Sequence, residues 1–310
     1  MKKNNPILSI IILNYNSGIY LKECLKSITN SITNYEFETI IVDNASTDKS
    51  IELAKEIKVS NSKYLILDKN LGFAAGNNQG VKLIDQNSKY VLFLNPDTTV
   101  ETNTFEKILG FIEKNSSKVD AVTCYITLAA TGKMQPECHR GFPTPLNAFW
   151  HFFGFGLPKL FSKSKFFNGY FQGNLDLTKP HQIDCCVGAF LLVKKEVGQA
   201  IGWWNEKYFF YGEDLDFCYK LKQKNYHLYF YPDCKITHFQ GVSSGIINNS
   251  QNITQASKET KVRSAYASTN AMKIFYKENL ISKYPKLVQP FILAGIKLLE
   301  IKRVFKAKYL

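Results

Sequence analysis

Along the first hundred residues the apolar positions switch repeatedly between an extended and a helical rhythm. Ile7 to Leu13 is a continuous run that is apolar except at Ser9, closed by Asn14-Tyr15-Asn16, the pattern of a strand buried on both faces. Leu21, Leu25 and Ile28 then recur at helical spacing. Thr39 to Val42 predicts a second buried strand ending at Asp43. Ser46, Thr47 and Asp48 follow it with N-cap chemistry for a helix carrying Ile51, Ala54 and Ile57. Lys63 to Leu67 reads as a third strand and Tyr90 to Leu94 as a fourth, with a Gly-rich turn and a helix between them. Such β-α-β repeats predict an α/β fold built on an open, Rossmann-like, mainly parallel sheet with helices on both faces.

From about Thr131 to Pro180 the rhythm is lost. This stretch is rich in Phe, Gly and Pro and reads as an irregular aromatic insertion. Regular structure resumes with a strand over Cys186 to Val193, a helix opening at Gly212-Glu213-Asp214 and a strand over Tyr226 to Tyr231. The chain therefore divides into an α/β domain over residues 1–245, with the insertion at about 131–180, and a helical basic extension over 246–310. In that extension Leu287, Phe291, Ala294 and Leu298 form one helical row, and Val288, Ile292, Gly295 and Leu299 the next. Pro290 fits within the helix's first turn. Lys297, Lys302, Arg303, Lys306 and Lys308 face a single acid, Glu300. A basic amphipathic helix of this kind reads either as an interfacial membrane anchor or as a helix packed on the domain. The aromatic insertion favours the anchor.

Composition narrows the class without choosing a function. The chain has 310 residues, 45% of them hydrophobic and 21% charged, which excludes wholesale disorder. Its seven cysteines are odd in number and scattered with no CxxC pair, which argues against a disulfide framework or zinc knuckle and for a reducing, cytoplasmic setting. The polar start, Met1 to Pro6, leads straight into the first strand, so no signal peptide is expected. No run reaches the roughly 20 apolar residues of a membrane span. The formal charge of +13 calls for an anionic partner: nucleic acid, a membrane surface or an anionic substrate.

Ligands of open α/β sheets bind beyond the carboxyl ends of the strands, and polar residues concentrate there: Asn14 and Asn16, Asp43 and Asn44, Asp68 and Asn70, Asn95 and Asp97. Asp43 stands before the expected cap, so we read it as a ligand-facing carboxylate. The stretch Asn70-Leu71-Gly72-Phe73-Ala74-Ala75-Gly76-Asn77 is neither GxGxxG nor a P-loop; its small residues permit close approach of a ligand or close packing on the sheet. In Asn95-Pro96-Asp97 the proline fixes a turn presenting Asp97, and a hard cation binds through one or two carboxylates plus substrate phosphates. Glu213, Asp214 and Asp216 crowd a helix N-terminus, where acids also suit the helix dipole. The neighbouring Trp203, Trp204 and Tyr211 suggest a platform or pocket wall for a sugar beside a general base. A lone histidine is more often structural, yet His238 can complete a metal shell begun by Asp97.

Taken in order, these segments resemble the family-2 glycosyltransferases of the GT-A fold, in particular the bacterial rhamnosyltransferase-like branch that builds surface polysaccharides. The resemblance is carried by Ile10 to Asn16, Val42 to Asp48, Asn70 to Asn77, Leu94 to Asp97, Gly188-Ala189-Phe190, Gly212 to Asp216 and the His238 segment. It implies a nucleotide-sugar site formed by Asn14, Asn16, Asp43, Asn44, Asn70, Gly72, Asn77, Asn95 and Asp97, with Asp43 on the nucleoside. Asn95 and Asp97 would occupy the family's DxD motif, from which Asn95 departs by removing one charge. Asp97 and His238 would hold Mg²⁺ or Mn²⁺, and Asp214, with Glu213 beside it, would deprotonate the acceptor hydroxyl. The implied activity is inverting transfer of a sugar, dTDP-rhamnose being the expected donor, to a glycan or lipid-linked acceptor in the cell envelope.

UDP-linked galactofuranose or another hexose is the alternative donor. A nucleotidyltransferase would carry a Gly-rich, basic signature after the first strand, which Asn14 to Gly18 lacks. A non-catalytic sugar- or nucleotide-binding protein is the alternative of another class. Nucleic acid is not expected, since the basic residues are dispersed and no RRM, KH or helix-turn-helix signature is present.

Overall fold

The computed structural model describes residues 5–240 and 258–309. The expected β-α-β rhythm is realised in β1 (Leu8–Asn14), α1 (Ile19–Thr29), β2 (Phe37–Asp43), α2 (Ser50–Lys55), β3 (Ser62–Ile66), α3 (Phe73–Val81) and β4 (Tyr90–Leu94). Every residue of β1 is buried, as its near-continuous apolar run requires of a strand covered on both faces. Where β1, β2, β3 and β4 pair with one another they run parallel, with Asn14 aligned to Asp43 at their common end.

Beyond β4 the pattern changes. Instead of a crossover helix, a tight turn at Asn95-Pro96-Asp97 leads into β5 (Thr98–Val100), followed by α4 (Thr104–Lys114) and β6 (Ala121–Leu128). The insertion is less irregular than its composition suggests: after a short 3-10 turn at Pro136–Cys138 it holds α5 (Pro145–Phe153) and α6 (Leu157–Leu160). Pro145 stands at the first turn of α5, and the Thr144 side chain accepts from Asn147 N. Then come β7 (His181–Ile183), β8 (Phe190–Lys194), α7 (Lys195–Ile201), α8 (Glu213–Gln223) and β9 (Leu228–His238). The strand order is β3-β2-β1-β4-β8-β6-β9-β5, with β7 also on β9. β8 runs antiparallel between β4 and β6, whereas β9 is parallel to β6. The sheet is therefore mixed overall.

Three local boundaries differ from the sequence reading. The strand expected from Cys186 starts only at Phe190, because the chain just before it is held to the insertion, Cys185 pairing with Arg140 and Val187 N donating to Glu137 O. The strand expected to end at Tyr231 continues to His238, pairing with β6 across a register shift. Ser46 does not cap α2, which begins at Ser50; Asp48 accepts from Ser50 N, while Ser46 is drawn to Asp43.

The extension forms α9 (Lys258–Phe275) and, after a π turn at Tyr276–Leu280 and a 3-10 turn, α10 (Gln289–Tyr309). It is packed on the sheet domain: Phe275 stacks on Phe142, Tyr219 donates to Asn279 O, and Asn279 donates to Asp216. Among the described residues no helix is long and apolar enough to cross a membrane.

Candidate active site

The carboxyl ends of β1, β2 and β4 lie at one edge of the sheet, and β6 and β9, running the same way, end there too. This edge gathers most of the polar residues singled out in the sequence, in three groups.

At the β1–β2 end, Asp43 is almost fully buried and accepts from Asn14 Nδ2 at 2.7 Å, Ser46 Oγ at 2.6 Å and Ser46 N at 3.0 Å. Asn16 sits in a left-handed conformation with φ of 50° and accepts from Thr47 N. Asn44 bridges to the next loop, donating to Asn70 and accepting from Leu71 N, while Gly72 N donates to Asn70. Gly72 has φ of +84°, and a Cβ there would lie 2.5 Å from Phe209 O; this position admits only glycine. Phe73 N donates to Phe209 O, joining this loop to the segment that leads into α8.

Asn77 is a correction. It is buried and donates to Phe73 O of its own helix. The small residues around it serve the sheet instead: Cβ atoms at Gly76 and Gly80 would meet Leu13 and Ile11 at 2.5 and 2.6 Å. Close packing, not ligand approach, explains that part of the stretch.

The second group lies after β4. Asp97 and His238 are both buried, with Asp97 Oδ1 3.2 Å from His238 Nε2. His238 Nδ1 is 2.8 Å from Gln135 Oε1. When Nδ1 donates to Gln135, the Nε2 lone pair faces a carboxylate oxygen, a contact that needs a proton or a cation between them. A buried carboxylate and an imidazole directed at one point suit Mg²⁺ or Mn²⁺, which take their remaining ligands from substrate phosphates and water. No group of three or more His, Cys, Asp or Glu able to hold a metal ion is present among the described residues. The Asn95 backbone is held by Ala189 O and by Thr98 Oγ1, while its part-buried side chain makes no hydrogen bond to another of the described residues.

The third group opens α8. Asp214 Oδ2 is 2.8 Å from Arg140 Nη2, and both residues are 9% exposed. Asp214 Oδ1 accepts from Leu215 N. Glu213 is buried and its Oε2 has no partner. Burial, reinforced by the neighbouring Asp214 charge, raises its carboxyl from 4.5 to about 8. Two adjacent carboxylates with only one guanidinium are thus relieved by a proton on Glu213. Asp216 serves structure, bonded by Asn279 and paired with Lys220.

The aromatic platform is the second correction. Trp204 is 2% exposed and its indole is enclosed by Phe73, Phe93 and Phe217. Trp203 is part-buried over Gly198, where a Cβ would lie 2.1 Å from its ring. Both indoles cover the apolar side chains of β4 and α8. Tyr211 is part-buried with its hydroxyl 2.8 Å from Ser264 Oγ on α9. The exposed rings of this segment are Phe209 and Phe210.

Two residues of this edge escaped the sequence reading. Arg140 and Gln135 lie in the stretch that looked irregular, and isolated pairings position them, Arg140 with Cys185 and Met134 with Thr127. The only local signal was the polar run Gln135 to Arg140 inside an aromatic insertion.

Residues 9–202 match glycosyl transferase family 2. The chain is 33% identical over 131 residues to the minor teichoic acid biosynthesis protein GgaB of Bacillus subtilis, covering 41% of this chain and 14% of GgaB. It is 29% identical over 223 residues to the low-salt glycan biosynthesis hexosyltransferase Agl10 of Haloferax volcanii, covering 71% of this chain and 63% of Agl10. It thus spans less than two-thirds of either relative. Among solved structures, the mannosyltransferase PcManGT of Pyrobaculum calidifontis, in complex with GDP-Man and Mn²⁺, superposes over 98% of this chain and 74% of its own. The TM-score is 0.57 at 14% identity, a likeness of fold.

Proposed function

The chain belongs to glycosyl transferase family 2 and has the GT-A fold, and from that premise we propose that it transfers a sugar from a nucleotide diphosphate to an acceptor hydroxyl with inversion. The observation that carries this reading is the convergence at one sheet edge of a cation-seeking pair, Asp97 and His238, and a carboxylate held by arginine, Asp214. The matched family region ends at Ile201-Gly202, short of Asp214 and His238, so their roles rest on geometry and on the motif resemblance.

Asn14, Asn16, Asp43, Asn44, Asn70 and Gly72 form the nucleoside end of the site, with Asn95 and Asp97 at the diphosphate. Asp97 and His238 would hold the divalent cation, which as a Lewis acid stabilises charge on the departing diphosphate. Asp214 takes the proton of the acceptor hydroxyl while that oxygen attacks the anomeric carbon and the bond to the diphosphate oxygen breaks. Arg140 keeps the Asp214 carboxylate oriented by bonding Oδ2. Glu213, protonated, avoids a second negative charge beside it. Phe209 and Phe210 replace the two tryptophans as aromatic surface for the sugar or acceptor.

For the donor we propose dTDP-rhamnose. A UDP-linked hexose is the second reading, favoured by the hexosyltransferase name of the Haloferax relative. For the acceptor we propose a glycan or lipid-linked glycan of the cell envelope, a reading supported by the Bacillus relative being named for teichoic acid biosynthesis. The enzyme would work at the cytoplasmic side, with the C-terminal extension, packed on the sheet domain, making a peripheral membrane contact. A hydrolysis panel of dTDP-, UDP- and GDP-sugars with and without Mn²⁺ tests this. One donor should be turned over in a metal-dependent manner, and Asp97→Ala and Asp214→Asn should each abolish transfer while leaving the protein folded. Binding without turnover across the whole panel would identify a non-catalytic sugar or nucleotide binder, and full activity in either variant would end the scheme.

A further inference from the structure

One face of α10 has no partner within the described chain. Ile296, Leu299, Glu300 and Val304 are buried against the protein. Glu300 pairs with Lys273 of α9, and Arg303 donates to Ser268. The opposite face carries Phe291, Ala294, Leu298, Ile301 and Phe305, at alternating spacings of three and four. Phe291 is 78% exposed, Leu298 57%, Ile301 56% and Phe305 59%. Of the two helical rows seen in the sequence, the one through Phe291 and Leu298 faces outward and the one through Ile292 and Leu299 turns inward. Four large apolar side chains held outward in a row mark an interaction surface rather than scattered exposure.

Two occupants fit a stripe of this spacing: the same helix of a second copy, or the interfacial zone of a bilayer. Charge decides between them. With about 100° of rotation per residue, Lys302 and Lys306 fall on one flank of the stripe and Lys297 and Lys308 on the other. In a helix pair the flanking residues meet each other. Parallel pairing sets Lys297 against Lys302 of the second copy, and antiparallel pairing sets each flank, with its two lysines, against the same flank of the second copy. The sole acid of α10, Glu300, is buried and already shared by Lys273 and Lys297, so α10 offers no carboxylate to Lys302, Lys306 or Lys308 in either arrangement. An apolar stripe bordered on both sides by lysine instead matches an anionic lipid surface, with acyl chains under the stripe and headgroup phosphates at the flanks. At the C-terminal end Tyr266 and Tyr309 are exposed in a cleft with Lys258, Arg263, Lys308 and one acid, Glu259, a net basic and aromatic surface of the kind found at an interfacial zone.

We propose that the outer face of α10 lies in the plane of an anionic membrane, anchored by Phe291, Leu298, Ile301 and Phe305 and steered by Lys302, Lys306 and Lys308. This deepens the peripheral-membrane part of the proposed function and does not depend on the chemistry at Asp214. The test is flotation of the full chain with vesicles of phosphatidylcholine alone or mixed with phosphatidylglycerol, at low and high salt. The protein should float with the anionic vesicles, less so at high salt, and weakly with the neutral ones. Reversal of the flanks (Lys302→Glu, Lys306→Glu, Lys308→Glu) should lower partitioning by at least about fivefold per lysine. Replacing the four anchors with Gln should abolish it. Donor hydrolysis in free solution should be unchanged in both variants, which separates failure of this proposal from failure of the transferase reading. The proposal is overturned by absence of binding to anionic vesicles, by undiminished binding of the Gln variant, or by a wild-type dimer that the Gln substitutions convert to monomer.

Discussion

The pair Arg140–Asp214 is the most exacting place to test the site, because its energetics follow from three observed facts: a 2.8 Å contact, 9% exposure of each partner, and a second carboxylate one residue away. With the charge centres about 4 Å apart, an effective dielectric near 20 gives an attraction of about 4 kcal/mol. Removing one partner costs about 3–5 kcal/mol because a buried charge is stranded, whereas removing both is far milder. Arg140→Met strands Asp214 beside Glu213, and the two carboxyl groups must then share what protons they can. Asp214→Asn preserves shape and a hydrogen bond to the guanidinium while removing the charge. The double variant removes both charges. A double-mutant cycle read by urea unfolding should therefore give a coupling energy of roughly 2–4 kcal/mol. Effects that add to within about 0.5 kcal/mol would refute the claim that the two groups form one buried unit. If Arg140 positions the base, Arg140→Met should also lower kcat while leaving metal-dependent binding of the nucleotide diphosphate near its wild-type value. A loss confined to donor binding would place Arg140 elsewhere in the mechanism.

Three further outcomes are expected. The Glu213 carboxyl, raised to about 8 from 4.5, makes the folded state bind a proton that the unfolded chain has released. Its stabilising contribution, on the order of a few kcal/mol, is complete below pH 4.5 and lost as pH rises through about 8; Glu213→Gln should flatten that decline in melting temperature, and an unchanged pH profile would count against it. His139 has the opposite sign: burial, then the neighbouring His181, lowers it to about 4, so its contribution is complete above pH 6.5 and lost as pH falls through about 4, a fall that His139→Leu should remove from the acid limb. Gly72→Ala should cost about 1–3 kcal/mol through its backbone conformation alone, with further loss from the 2.5 Å approach to Phe209 O; melting and nucleotide titration together would show it, and a variant of wild-type stability would contradict the described loop.

The parts of the molecule legible in the sequence are those where one local rule had no competitor. β1, apolar up to Asn14 except at Ser9, and β4 are near-continuous apolar runs, and such a run has no better place than a strand buried on both faces. Their polar ends, Asn14 and Asn95-Pro96-Asp97, therefore fell at the carboxyl ends of parallel strands. Asn77 and Trp204 were misread because their environment is set by residues far away in the chain. Asn77 lies on a helix whose glycines had to fit over Leu13 and Ile11. Trp204 was needed to enclose Phe93 and Phe217. An aromatic doublet beside acids looks the same in sequence whether it covers a sheet or a sugar. Arg140 is the deeper case. Its importance comes from one pairing with Cys185 and one ion pair spanning 74 residues, and neither leaves a periodic trace. Yet the acidic cluster already implied a missing partner, since Glu213, Asp214 and Asp216 cannot all be buried as anions without one. Lys220 and Asn279 answer for Asp216 and a proton answers for Glu213. The remaining charge requires a cation from outside the helix, and a buried arginine in the stretch that looked least regular supplies it.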